Sequence, residues 1–181
     1  MHPIFTLQYG EFAVADTLSK ELKNISVFVP ASSQEKGIDL LLYRHENGKR
    51  RTLTVQVKMS RTYINVNTKY ENILWFNRFE PQENADWFIL TGTYAAFPKS
   101  LDVAVKEAQW NNIMLAFTYD EMVEFMDEVR QKKDKTKVDK MFGFGFNCTD
   151  EIFQTRGYES ERNMSKYLLK NRLDDIEKSF Y

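Results

Sequence analysis

Asp39, Gln56 and Lys58 are the residues of this chain whose types and spacing could do chemistry together. Asn47-Gly48 lies between two apolar-rich runs, 37–44 and 51–58. That is the mark of a β-hairpin with a type I′ turn, whose two central residues both need φ > 0. With this pair as the loop, Glu46 faces Lys49, and counting outward sets Asp39 opposite Gln56. Side chains alternate along a strand, so Asp39, Gln56 and Lys58 share one face while Leu53, Val55 and Val57 take the other.

A carboxylate, an amide oxygen and an ammonium on one patch suit metal-assisted cleavage of a phosphodiester. A divalent cation lowers the pKa of water, bridges the scissile phosphate and neutralises charge in the transition state. Mg²⁺, with Mn²⁺ as its substitute, prefers hard oxygen ligands. In this reading Asp39 anchors the ion, Gln56 adds a neutral oxygen, and the Val57 carbonyl completes the protein's share. Lys58 orients or deprotonates the water, or stabilises the developing charge. Glu11 falls on the apolar stripe of the first helix, where a carboxylate is costly to bury unless something needs it. It therefore joins the candidate ligands. The plainer alternative for Asp39 and Lys58 is a cross-strand ion pair, which contributes little on a surface.

Several elements must hold these residues. An amphipathic helix is expected over 9–23, with Val14, Ala15, Leu18 and Leu22 at helical spacing. Short strands are expected at 25–29 and 63–67 around the hairpin. An aromatic-rich helix over 70–79, a buried strand over 85–91, a helix over 101–110, a strand over 113–117 and a helix over 119–132 follow. The charged run 132–137 reads as a solvated linker, 142–146 as a strand or a turn-rich loop, and 160–180 as a closing amphipathic helix. The fold class is α/β in the broad sense, an α+β mixed sheet flanked by helices, in one domain spanning 1–181.

The net charge of −1 conceals an asymmetry. Residues 36–70 carry eight basic side chains (Lys36, Arg44, Lys49, Arg50, Arg51, Lys58, Arg61, Lys69) against Asp39 and Glu46, a net of +6, which leaves −7 elsewhere. A positive field around a cation-binding carboxylate suits a polyanion. Cys148 is the lone cysteine and His2 and His45 the only histidines, which argues against a disulfide framework, a thiolate zinc site and a Ser-His-Asp triad. No signal peptide and no membrane span is read, so a reducing cytoplasm is expected.

Gly10-Glu11 opening the first helix, Lys36-Gly37-Ile38-Asp39 entering an apolar strand, and Gln56-Val57-Lys58-Met59-Ser60-Arg61 closing the next resemble the PD-(D/E)XK, or restriction-endonuclease-like, nuclease superfamily. The match runs from Glu11 to about Arg61, and more loosely through the Trp87 strand. The resemblance implies an αβββαβ core with helices on both faces. It implies a metal-binding role for Asp39, a catalytic lysine in Lys58, and a helix-borne acid in Glu11, as in the resolvase-like branch. Gln56 stands where Glu or Asp is usual, a QxK variant. Ser60, Arg61 and Lys36 become substrate contacts, nucleic acid and above all DNA the partner, and a homodimer the implied assembly. RNA as substrate stays open. So does a catalytically inactive protein of the same fold that binds nucleic acid or a protein partner.

Overall fold

The structure is a computed structural model, and it describes residues 9–30, 35–64, 69–94 and 111–181. It is mixed α and β, with a mostly antiparallel open sheet and three α-helices among the described residues. Helix α1 (Tyr9–Glu21) leads into β1 (Ser26–Phe28), β2 (Leu40–Glu46) and β3 (Lys49–Ile64). Strands β4 (Asn72–Asn77), β5 (Trp87–Tyr94) and β6 (Asn111–Thr118) follow, then α2 (Tyr119–Glu128). The chain continues through β7 (Met141–Phe146), β8 (Phe153–Arg156), β9 (Arg162–Asn163) and α3 (Leu173–Lys178). No helix of the described residues is long and apolar enough to cross a membrane.

Strand β3 is the axis of the molecule. Its first half pairs antiparallel with β2, its middle parallel with β5, and its last three residues antiparallel with β4. The β2–β3 hairpin has the expected register, from Glu46 opposite Lys49 to Leu40 opposite Val55. Asn47 at φ 52° and Gly48 at φ 74° make its turn. One half of the sheet runs β1-β2-β3-β5-β6, and the other continues from the end of β3 through β4, β7, β8 and β9.

The two faces of the first half bury different cores. On one, Val55, Val57, Trp87, Ile89 and Ala116 meet Val14 and Leu18 of α1 and Ile176 of α3. On the other, Phe88, Leu90, Leu115 and Phe117 meet Met122, Phe125 and Met126 of α2. The second half of the sheet packs Leu74, Phe76, Phe142, Phe144 and Phe146 into that same core. Helices thus cover both faces, and each fully buried Leu, Ile or Phe contributes about 1.5–3 kcal/mol. Thr118 starts α2 with a capping box: its hydroxyl accepts from Glu121 N–H at 3.3 Å, and Glu121 Oε2 accepts from Thr118 N–H at 2.9 Å.

Three expectations about elements need correction. The expected helix over 70–79 is instead strand β4 (Asn72–Asn77), because Asn72, Leu74 and Phe76 alternate inward with Ile73 and Trp75, and both strand edges find partners. Residues 160–180 are broken into β9, two 3-10 turns (Ser165–Tyr167 and Leu169–Asn171) and the six-residue α3. There Asn163 Oδ1 accepts from Ser165 N–H and Asn171 Nδ2 donates to Ser165 O, side-chain bonds that compete with a continuous helix. The run 132–137 is largely exposed, as expected of a solvated run, but it is a closed turn rather than a linker: Gln131 N–H donates to Lys137 O, Lys137 N–H to Asp134 O, and Arg130 bridges Val138. Helix α2 accordingly stops at Glu128. The helix expected over 101–110 and the tail of the 63–67 strand lie outside the described residues.

Asp139 and Arg156 clamp the second half of the sheet. Arg156 donates to both carboxylate oxygens of Asp139 at 3.0 Å, and the Asp139 backbone neighbour Met141 donates to it as well. The guanidinium holds this nearly buried carboxyl below its ordinary pKa. A depressed carboxylate pKa stabilises the fold above its unfolded value near 4, and that contribution is lost as pH falls through the folded value. Asp139→Asn is expected to cost about 1–2 kcal/mol at pH 7. Melting curves of wild type and variant should converge as the pH drops below about 4.

Candidate active site at the open edge of β3

Between Val55 and Thr62, β3 has registered pairing with β5 alone. On its other edge β2 has ended and β4 has not begun. Two side chains stand in for the missing strand. Asp39 follows the ladder by donating its N–H to Val55 O at 2.9 Å, and its Oδ2 then accepts Val57 N–H at 2.7 Å. Ser60 Oγ accepts from Trp75 N–H at 2.9 Å and donates to Trp75 O at 2.8 Å. In an extended strand the N–H and C=O of one residue point to the same side. The Val57 carbonyl therefore looks onto this same edge.

The entry to Asp39 is built to shape. Gly37 has φ +91°, a conformation that side chains other than glycine's adopt only with strain. An added Cβ there would lie 2.6 Å from both Gln82 and Asn84. Asn84 Nδ2 donates to Lys36 O at 2.8 Å, while Thr54 Oγ1 donates to Asn84 O at 2.7 Å and Thr54 N–H to Asp86 Oδ2 at 2.7 Å. These bonds tie the Lys36–Asp39 segment, the loop before β5 and the middle of β3 into one block.

The expected site residues are distributed around this edge. Gln56, in register with Phe88, is buried, and its Oε1 has no hydrogen-bond partner. Lys58 shares that face, and its ammonium lies 5.5 Å from the centroid of the Phe79 ring. Asp39 and Lys58 do not form an ion pair; each has gone to a different partner. Glu11 is half-buried in the first turn of α1, where Gly10 packs on Met59, next along from Lys58. Since α1 covers the face of Val55 and Val57, Glu11 comes to the edge from the side opposite Gln56 and Lys58.

The three expected substrate contacts differ in setting. Arg61 is exposed on β3. Lys36 lines an open cleft of about 940 Å³ in which Lys36 and Arg78 are outnumbered by Glu35, Glu80, Glu83 and Asp127, so the cleft is acidic on balance. It adjoins the β3 edge through Phe79, the ring beside the Lys58 ammonium. Ser60 is 4% exposed, with its hydroxyl committed to the β3–β4 junction, a structural assignment its position in the motif did not suggest. The basic stretch also divides. Arg44 and Arg51 both lie 5.0 Å from the Tyr181 ring, Arg44 pairs with Glu46, and Arg51 donates to the Phe180 carbonyl. At about 3.3 Å per residue the hairpin tip is roughly 20 Å from Asp39. The basic residues of this stretch that remain near the edge are Lys36, Lys58 and Arg61, and Lys36 has Glu35, Glu80 and Glu83 around it.

Among the described residues no group of three or more His, Cys, Asp or Glu side chains gathers where it could hold a metal ion. The oxygen donors present are of another kind: one carboxylate, one buried amide oxygen lacking a donor, and one main-chain carbonyl. That set fits a hard cation such as Mg²⁺, which binds through one or two carboxylates and fills its remaining positions with water and substrate oxygens. No family model, no curated protein and no solved structure matches the chain.

An unsatisfied buried amide oxygen is destabilising by about 1–3 kcal/mol. Without divalent ions, Gln56→Leu is therefore expected to raise the melting temperature, by an amount matching about 1 kcal/mol or more. A lower melting temperature for the variant in EDTA would show that the Gln56 amide is satisfied in solution.

Proposed function

We propose that this protein is a divalent-metal-dependent endonuclease that hydrolyses phosphodiester bonds in nucleic acid, DNA being the expected polymer. The observation that carries the reading is the open edge of β3, where the Asp39 carboxylate accepts the Val57 N–H in place of a strand, one residue along from Gln56, whose buried Oε1 has no partner. The element order adds support. A helix and three antiparallel strands precede β5, which lies parallel on β3, as the αβββαβ plan would have it, but the crossover holds β4 where that plan has a helix, a departure from the expected core.

Asp39, Gln56 and the Val57 carbonyl would hold Mg²⁺, with Glu11 at the adjoining helix end. When bound, the ion supplies a water of lowered pKa and neutralises charge on the phosphate. The chain's own groups do the rest. The Val57 N–H fixes the rotamer of Asp39. Lys58, its stem along Phe79, brings a positive charge to the edge, where it can orient a water or stabilise a developing anion. Lys36 and Arg61 flank the edge and attract the polyanion. A second reading, a nuclease-fold protein without activity that binds nucleic acid or a protein, is favoured by the neutral Gln56 and by the absence of a three-acid cluster among the described residues.

Mn²⁺ titration followed by melting temperature, run beside a plasmid-nicking assay, separates the two. Native-state binding should stabilise by about 2.7 kcal/mol at a hundred times Kd. Asp39→Asn keeps an acceptor for Val57 N–H, so it should retain the fold while losing both the Mn²⁺ shift and nicking. Asp39→Ala strands that N–H and should additionally cost about 1–2 kcal/mol. Gln56→Glu should bind Mn²⁺ more tightly and melt lower in EDTA, since two facing carboxylates repel. No Mn²⁺ effect at millimolar concentration on wild type or Gln56→Glu would leave the non-catalytic reading.

A further inference from the structure

The second half of the sheet has one face in the core and one face outward, and the outward face is unusual. Across it the register aligns Tyr63 with Ile73 and Gly145, and Trp75 with Gly143 and Arg156. Tyr63 is 52% exposed, while Trp75 and Phe153 are half-buried. Gly143 and Gly145 leave β7 bare on this side. A Cβ at Gly143 would lie 2.6 Å from the Trp75 ring, and one at Gly145 would lie 2.5 Å from the Tyr70 ring. The rings therefore lie down on the sheet rather than standing between neighbours. Arg156 sits 5.4 Å from the Trp75 centroid, and exposed Arg61 extends the row on β3 toward the open edge.

Charge assigns the occupant. Strand β3 carries five basic residues and no acidic one; Lys49, Arg50 and Arg51 lie at the far end of the hairpin and Lys58 on the other face, so Arg61 is the one beside the rings. Helix α2 carries five acidic residues and no basic one, and α1 and α3 are each net negative. A helix that enters the major groove of a duplex must tolerate flanking phosphates, and none of these three would. A polyanion is instead drawn to β3. What this part of β3 offers beside Arg61 is ring surface, which stacks with unpaired bases and is hidden from the paired bases of a duplex.

We infer that the outward face bearing Arg61, Tyr63 and Trp75 is a stacking platform for unpaired nucleotides, so that the nucleic acid engaged at the neighbouring edge is single-stranded there. This rests on the nucleic-acid reading above and names its substrate class. Tyr63 and Trp75 take the bases, and Arg61 takes the backbone phosphate or stacks beside them.

The test is fluorescence anisotropy in EDTA with labelled oligonucleotides of about 15 nucleotides, as single-stranded DNA, single-stranded RNA and duplex DNA of one sequence. Wild type should prefer a single strand to the duplex, and the tighter of the DNA and RNA arms identifies the polymer. Tyr63→Ala should weaken single-strand binding on the order of tenfold, with Tyr63→Phe near wild type. Arg61→Ala should reduce the slope of log affinity against log salt by about 0.7. Equal or tighter binding of the duplex, or unchanged binding by Tyr63→Ala, overturns the inference. The Mn²⁺ melting shift, which Tyr63→Ala should leave intact, keeps the two readings apart. Its absence in wild type with Tyr63-dependent binding present retires cleavage alone. Its presence with Tyr63-independent binding retires the platform alone.

Discussion

A buried strand must satisfy every backbone N–H and C=O on both of its edges, and β3 pairs with three different neighbours in succession. Parallel pairing with β5 occupies one edge through the middle of the strand. On the other edge β2 and β4 belong to different halves of the sheet, and a length of β3 falls between them. There the Asp39 carboxylate meets the Val57 N–H and the Ser60 hydroxyl meets the Trp75 main chain of β4, while the Val57 carbonyl is left facing the edge. The polar groups of the candidate site are thus part of what lets the sheet change partners. A carboxylate that accepts a main-chain N–H also has a fixed orientation, which a metal ligand needs.

The same division separates the two kinds of recognition. One face of β3 at the gap holds buried Gln56 beside Phe88 at the larger core and half-buried Lys58 over Phe79 at its rim. The opposite face passes from the cover of α1 at Val57 to open surface at Arg61 and Tyr63. In the proposed reading, a bound polymer would be gripped on one side of the strand and attacked at its edge.

The local features were legible in the sequence because their physics is local. Asn47-Gly48 determined the turn, the turn determined the register, and the register set Asp39 opposite Gln56 without reference to the rest of the chain. Helix α1 and the Trp87 strand were equally plain from periodicity. Residues 70–79 misled because an alternating aromatic run reads as helix or strand until its partners are known, and β7 lies some seventy residues further on. Ser60 resembled a substrate contact because the sequence shows its place in a motif and not the Trp75 backbone beside it. The charge excess of 36–70 was real, but Tyr181 and Glu46 hold two of its arginines at the far end of the hairpin.

An unpaired strand edge is also a template for another chain, and proteins blunt such edges with charge, especially lysine. The β2–β3 hairpin closes locally, within microseconds by ordinary rates, whereas the parallel β5 pairs only after the stretch that contains β4 and arrives later. During that interval the β5-side edge of β3, with Leu53, Val55 and Val57 along the strand, is unpaired. Lys58 and Arg61 lie on the same stretch, and charge of this kind disfavours pairing with another chain. In the proposed reading, the cations that would meet a polyanion in the finished protein would also disfavour self-association of the nascent strand.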